Sequence, residues 1–240
     1  MIYKNTQITY KSLDQKVGAF VYLVVMKYLA AIFCLLLPLS GFCQESQQIY
    51  IYGGPALIKY SGELGNYDNT SGSLNIGVQF NKKKKLNGSL NFGLGSASGQ
   101  DVNFGSQASL STDPDPNNFF KSQFVYFSYE LKYHLIKRAD YHIYISQGLG
   151  VFRFNPQDDL GNDLQDLNNT RNTDETYRNA TVMLPIGVGG TYFLPNKFGI
   201  GLQMGFYNTL TNYLDNISEL GDESGDNLLG IRLAVYAPLN

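Results

Sequence analysis

The chain has only two histidines, His134 and His142, one on each side of a short turn. Two imidazoles near a turn could hold a metal ion, but such a site needs a further ligand. Its two cysteines, Cys34 and Cys43, lie far away near the front, so the pair reads as two polar residues beside a turn. Asp158, Asp159, Asp163 and Asp166 are dense enough to suggest calcium. A calcium loop of the helix–loop–helix kind needs oxygen ligands at alternate positions, a central glycine and a closing glutamate. Gly161 is present, but the spacing and the glutamate are missing. This segment reads as a solvated loop, with a weak divalent-ion patch as the alternative. Gly187-Val188-Gly189-Gly190 and Gly93-Leu94-Gly95 lack the spacing and following helix of a nucleotide loop. No G-x-S-x-G elbow accompanies the histidines. The expectation is a non-enzymatic chain with no catalytic residue, cofactor or resident metal.

Composition points to the elements that would carry whatever function remains. The 240 residues include 25 glycines, 18 tyrosines and 15 phenylalanines, but no tryptophan. Aromatics favour strands, and glycine allows the close backbone approach that closed sheets need. A net charge of -2 argues against a general nucleic-acid binder. With no cysteine after position 43, the redox compartment is not legible.

The front of the chain has the layout of an export signal. Lys27 follows Met26, an apolar run extends from Leu29 to Leu39, and the small residues Gly41 and Cys43 precede Gln44. The expected division is 1–25 as a non-native extension, 26–43 as a cleaved signal peptide and 44–240 as one domain. An uncleaved anchor over Val17–Leu39 is the alternative. Residues 44–240 carry 14 basic and 19 acidic side chains, a net charge of -5.

Within this domain the recurring pattern is period two. Leu74, Ile76, Val78 and Phe80 alternate with Ser73, Asn75, Gly77 and Gln79. The same alternation recurs in Leu86–Ala97, Phe119–Ile136, Tyr141–Phe154, Ala180–Leu194 and Phe198–Tyr213, with Gln48–Tyr60 and Leu228–Tyr236 completing eight strands. The second face is mainly Gly, Ser, Asn, Gln and Tyr, not the charged face of a soluble sandwich. Apolar residues facing lipid and small polar ones facing a narrow interior make an all-β, eight-stranded antiparallel outer-membrane β-barrel, an up-and-down meander.

The links agree. Lys82–Lys85, Lys137–Asp140 and Pro195–Lys197 are short, whereas 61–70, 98–118, 155–177 and 214–226 are long and polar. Strict alternation fits short periplasmic turns and long outer loops. The long links carry 16 acidic residues and one basic residue, Arg171, while the short turns carry 7 basic residues and one acidic residue, Asp140. A docking rim of Lys82, Lys83, Lys84, Lys85, Lys137, Arg138 and Lys197 is therefore expected at the periplasmic end. Glu130, Lys132 and Arg232 fall on inward positions, and a Glu130–Arg232 contact across the interior is expected because an unpaired buried charge is costly. Side chains can fill an eight-stranded interior, which argues against general porin activity.

Thr211-Asn212-Tyr213-Leu214-Asp215, leaving the seventh strand, resembles a motif of Bacteroidota-type outer-membrane barrels close to PorG, the barrel component of type IX secretion. Pro185–Tyr192, Phe198–Gly205 and Phe152–Pro156 fit the same pattern, and the resemblance covers about Ile49 to Ile231. It implies residence in the cell outer membrane beside a secretion or gliding machinery. Three functional readings follow. The leading one is an accessory or structural barrel, bathed in outer-membrane lipid, that binds a periplasmic or outer-membrane protein. The others are a barrel whose acidic loops bind an extracellular ligand or support the envelope, and a narrow small-solute channel.

Overall fold

The computed structural model describes residues 48–81, 84–104, 117–166, 178–217 and 225–239. The expected extension and signal peptide lie outside these residues, as do Cys34, Cys43, Lys82 and Lys83. Eight strands run in chain order: β1 Gln48–Gly62, β2 Gly65–Asn81, β3 Leu86–Gln100, β4 Phe119–Lys137, β5 Tyr141–Gln157, β6 Ala180–Phe193, β7 Gly199–Thr209 and β8 Asn227–Pro238. Each pairs antiparallel with its sequence neighbour, and β8 returns to β1 to close the barrel. Closure matters because an open edge would leave backbone groups unpaired in hydrocarbon, at several kcal/mol each.

The alternation read from the sequence sets the two faces of the wall. Leu74, Ile76, Leu94, Val151, Ile200, Leu202 and Leu233 are exposed on the outside. Tyr133, Tyr141, Tyr192 and Phe198 form an outward aromatic girdle near the short turns, as expected where a barrel crosses a membrane interface. Inside, Tyr52, Tyr144, Tyr236, Ser89, Asn91 and Gln79 are buried. Glycine makes room for the large rings: a Cβ at Gly77 would lie 2.5 Å from Tyr52 Cζ.

β3 and β5 each run three residues past their expected ends, to Gln100 and Gln157, and two boundaries differ more. Segment 61–70 is not a long loop: β1 and β2 continue through it, leaving only Glu63 and Leu64 between them. Its side chains are polar, but its backbone groups still pair, through Ser61 with Asn66 and Gly62 with Gly65. A register shift between Lys59 and Ser61, with Tyr67 at φ 60°, bends this hairpin. The seventh strand stops at Thr209 and not Tyr213, because the chain turns inward and buries Leu214 to Ile217.

Candidate functional site

Three layers fill the lumen. The middle one holds the interior charges, Glu130, Lys132 and Arg232, all buried. Glu130 and Arg232 meet through Gln203. The Gln203 amide donates to Glu130 Oε2 at 3.2 Å, and Arg232 Nη2 donates to Gln203 Oε1 at 2.6 Å. Arg232 Nη1 also donates to Asn91 Oδ1 at 3.1 Å, and Tyr52 donates to the same oxygen. Lys132 donates to Gln79 Oε1 at 3.0 Å and sits over the rings of Tyr52 and Tyr144, 5.0 and 4.9 Å from their centroids. A buried charge is tolerated when neighbouring groups satisfy it, and here carboxamides and ring faces do so.

Towards the short turns, an aromatic layer of Tyr50, Tyr52, Phe193 and Tyr236 closes the lumen. His134 and His142 belong here and are buried, not solvated rim residues as their polarity suggested. Both sit on inward positions, their ring centroids 4.9 Å apart, and Phe193 covers His142 at 4.9 Å. His134 Nδ1 lies 3.0 Å from the Lys85 carbonyl and 3.0 Å from Asn87 Nδ2. Below this layer, Lys84, Lys85 and Arg138 are exposed. Lys137 Nζ donates to the Lys84 carbonyl at 3.0 Å, which brings the β2–β3 and β4–β5 turns together. Phe193 N donates to the Asp140 carbonyl at 2.6 Å, joining the β6–β7 turn on which Lys197 stands exposed at φ 68°.

At the opposite end the motif from Thr211 to Asp215 folds over the mouth as a plug. Leu214 and Ile217 pack with Tyr60, Leu64, Phe120, Phe124 and Leu228 in one apolar cluster, against which Tyr213 is partly buried. Thr211 and Asn212 lie at the half-buried entry, where the Thr211 carbonyl accepts from Asp226 N at 2.9 Å. Beneath the plug, Glu63, Asp215 and Asp226 place one carboxylate oxygen each within 4.8 Å of one another. Tyr60 Oη is 2.8 Å from Asp215 and 2.7 Å from Asp226. A phenol has one proton, so with both aspartates ionised one of these contacts would oppose two lone-pair atoms. Burial, then the charge of Glu63, pushes the Asp215 carboxyl up to about 8. Asp226 is raised well above the ordinary carboxylate range by burial, then by Asp215 and Glu63. Carboxylates this close need a proton or a cation among them, and an all-oxygen set is the ligand type of hard cations.

The other acidic segment is organised differently. Asp158 accepts from the backbone N–H groups of Leu160 and Asn162, at 2.9 and 2.7 Å, and caps its own turn. The Asn162 side-chain amide also donates to it and, as the main cause, holds its carboxyl below the usual value. Asp163 accepts from Asn155 and Gln157 at 2.9 and 3.2 Å.

A closed antiparallel barrel with an apolar outer wall, an aromatic girdle and a polar, filled interior is a transmembrane barrel, and its place is a cell outer membrane. Solved structures share the architecture at low identity. Neisserial surface protein A is 12% identical over 80% of this chain and 99% of its own, with a TM-score of 0.50. Ail, the attachment invasion locus protein of Yersinia pestis, is 11% identical over 81% of this chain and 100% of its own, with a TM-score of 0.48. A major outer-membrane protein of Thermus thermophilus is 11% identical over 80% of this chain and 100% of its own, at 0.46. No family model matches the chain, and no curated protein matches it.

Sequence reasoning did not find Gln203, Tyr60 or Asp226. Gln203 had a signal, since it is the long polar residue among glycines on the inward face of β7. Tyr60 and Asp226 had none, because their partners lie 155 and 166 residues apart along the chain.

Proposed function

We propose that this barrel is a non-enzymatic, non-conducting outer-membrane anchor that presents its basic rim to an acidic partner in the periplasm. The observation that carries the reading is the filled lumen: a plug, a charge layer and an aromatic layer lie in series. With the interior spent on packing, function falls to the rims. The short-turn rim gathers Lys84, Lys85, Lys137 and Arg138. Lys82 and Lys83 of the sequence belong to the same turn, and Lys197 stands on another. Like charges on one rim steer and orient a partner more than they hold it. A place beside a secretion or gliding machinery rests on the resemblance of the 211–215 motif.

The test replaces Lys82, Lys83, Lys84 and Lys85 with serine in the full chain and recovers the barrel from gently solubilised envelopes. Insertion should be intact, because a polar turn of equal length still joins β2 to β3. Recovery of a stoichiometric periplasmic partner should fall, as it should when salt is added to the wild type. A variant that keeps every partner at physiological ionic strength ends the rim reading.

A further inference from the structure

Near the long-link ends of β2 to β5, the outer wall carries a groove of about 740 Å³. It exists because two of its outward positions are small. Gly72 offers no side chain and Ser96 a short one, while Leu94 and Val125, register partners across β3 and β4, form an apolar floor. The floor continues the lipid-facing belt through Val151 and Phe127, which are exposed on the same wall. The chemistry changes at the far side. Lys121 and Arg153 line the groove and are exposed, and Gln123 and Asn155 stand beside them. Arg153 is the next outward residue after Val151 on β5 and pairs across with Val125. Arg178, exposed just before β6, adds a third cation next to this edge.

Among the described residues neither Lys121 nor Arg153 makes an ion pair, and no acidic side chain lines the groove. The nearby Asp163 is turned onto the amides of Asn155 and Gln157. Two cations thus stand at the edge of an apolar wall, at the end of the molecule whose links are otherwise acidic. Their long stems can lie along apolar surface while the charged heads reach the polar layer. Such a pair recognises a phosphate from the side, in the plane of the membrane, since guanidinium and ammonium groups both bind phosphate oxygens.

We propose that this groove binds the phosphorylated headgroup of an outer-leaflet glycolipid, with the phosphate against Lys121 and Arg153 and an acyl chain along Leu94 and Val125. This rests on the orientation in the reading above, with the long links outward.

The test uses the folded full-length barrel in detergent, native mass spectrometry, and bisphosphorylated lipid A as the probe. The wild type should retain lipid A. Lys121→Gln with Arg153→Gln should weaken retention about 100-fold or more, since each lost charge-assisted contact weakens binding roughly 10-fold or more. Lipid A stripped of phosphate should bind wild type and variant alike and weakly. Equal retention of bisphosphorylated lipid A by both proteins overturns the proposal. So does displacement by inorganic phosphate at millimolar concentration, which would mark a free-anion site, or a preference for phosphatidylglycerol, which would mark an inner-leaflet lipid. If the double variant does not fold, each single substitution is measured in its place, and loss in neither overturns the proposal. A reversed orientation, detected separately by surface labelling, would overturn both the rim reading and the outer-leaflet assignment, whereas loss of lipid A binding alone would overturn this proposal and leave the rim reading standing.

Discussion

Tyr60, at the top of β1, reaches Asp215 in the plug through a 2.8 Å hydrogen bond and Asp226, the residue before β8, through one of 2.7 Å. One hydroxyl thus ties the first strand, the last strand and the link before it. The space for it is a backbone matter, since a Cβ at Gly62 would lie 2.0 Å from the Tyr60 oxygen.

Tyr60→Phe keeps the ring in its cluster and removes the hydroxyl. Leaving buried polar groups without their partner costs about 1–3 kcal/mol. The link 210–226 should be cleaved faster by added protease, with barrel migration in cold detergent gels unchanged. Equal cleavage of wild type and variant would mean that the apolar contacts of Leu214 and Ile217 hold the plug unaided.

The same cluster sets a pH dependence. Asp215 titrates near 8 when docked, and an undocked aspartate near about 4. Between these values the docked plug holds a proton that the undocked one releases. Docking is therefore strongest at or below the lower value and weakens as pH rises to about 8. Glu63, Asp226 and Tyr60 are the titratable groups facing Asp215; Glu63 pushes its carboxyl up as burial does, and the Tyr60 hydrogen bond opposes them. Amide hydrogen exchange of residues 214–217 should quicken from pH 5 to pH 8 beyond the intrinsic rate, and Asp215→Asn should flatten that excess. An excess that survives the substitution would assign the effect elsewhere.

The charge layer should behave as a unit. Arg232→Met leaves Glu130 without the cation it meets through Gln203, and an uncompensated buried charge costs about 3–5 kcal/mol. Gln203→Leu should cost less, about 1–3 kcal/mol, since it removes a neutral bridge. Adding Glu130→Gln to Arg232→Met should recover most of the loss. Urea unfolding of the detergent-folded barrel measures all four proteins, and a double variant no better than Arg232→Met would show that the layer is not coupled.

Period two made the wall legible, because alternation is a local property and lipid keeps the outward set uniformly apolar. Even Glu130, Lys132 and Arg232 could be placed inside by parity alone. The contents of the lumen were less accessible. Gln203 stands between Glu130 and Arg232 because the barrel's curvature brings β4, β7 and β8 to one level, which no local pattern encodes. The polar stretch 61–70 looked like a loop because side-chain polarity says nothing about whether backbone groups pair. The 211–215 motif was visible as a motif, yet its burial follows from Tyr60 and Phe120 on strands far away in sequence. The groove beside Lys121 and Arg153 depends on four adjacent strands and could not be read from any one of them.

Orientation underlies both functional proposals and can be measured directly. Asp68 is exposed on the β1–β2 hairpin, and Lys84 is exposed at the β2–β3 turn, so the two report opposite ends of one strand. Single Asp68→Cys and Lys84→Cys variants, in a chain carrying Cys34→Ser and Cys43→Ser, would be treated in intact cells with a membrane-impermeant maleimide. The expected result is labelling at position 68 and protection at 84 until the outer membrane is permeabilised. Short turns at the periplasmic face and longer connections outside are the rule for single-chain outer-membrane barrels, and the segments 61–70, 98–118, 155–177 and 214–226 agree, since they carry 16 of the acidic residues. Labelling at 84 with protection at 68 would put the lysine rim on the cell surface. Docking would then have to be sought among extracellular partners, and the Lys121–Arg153 groove would face inner-leaflet phospholipid.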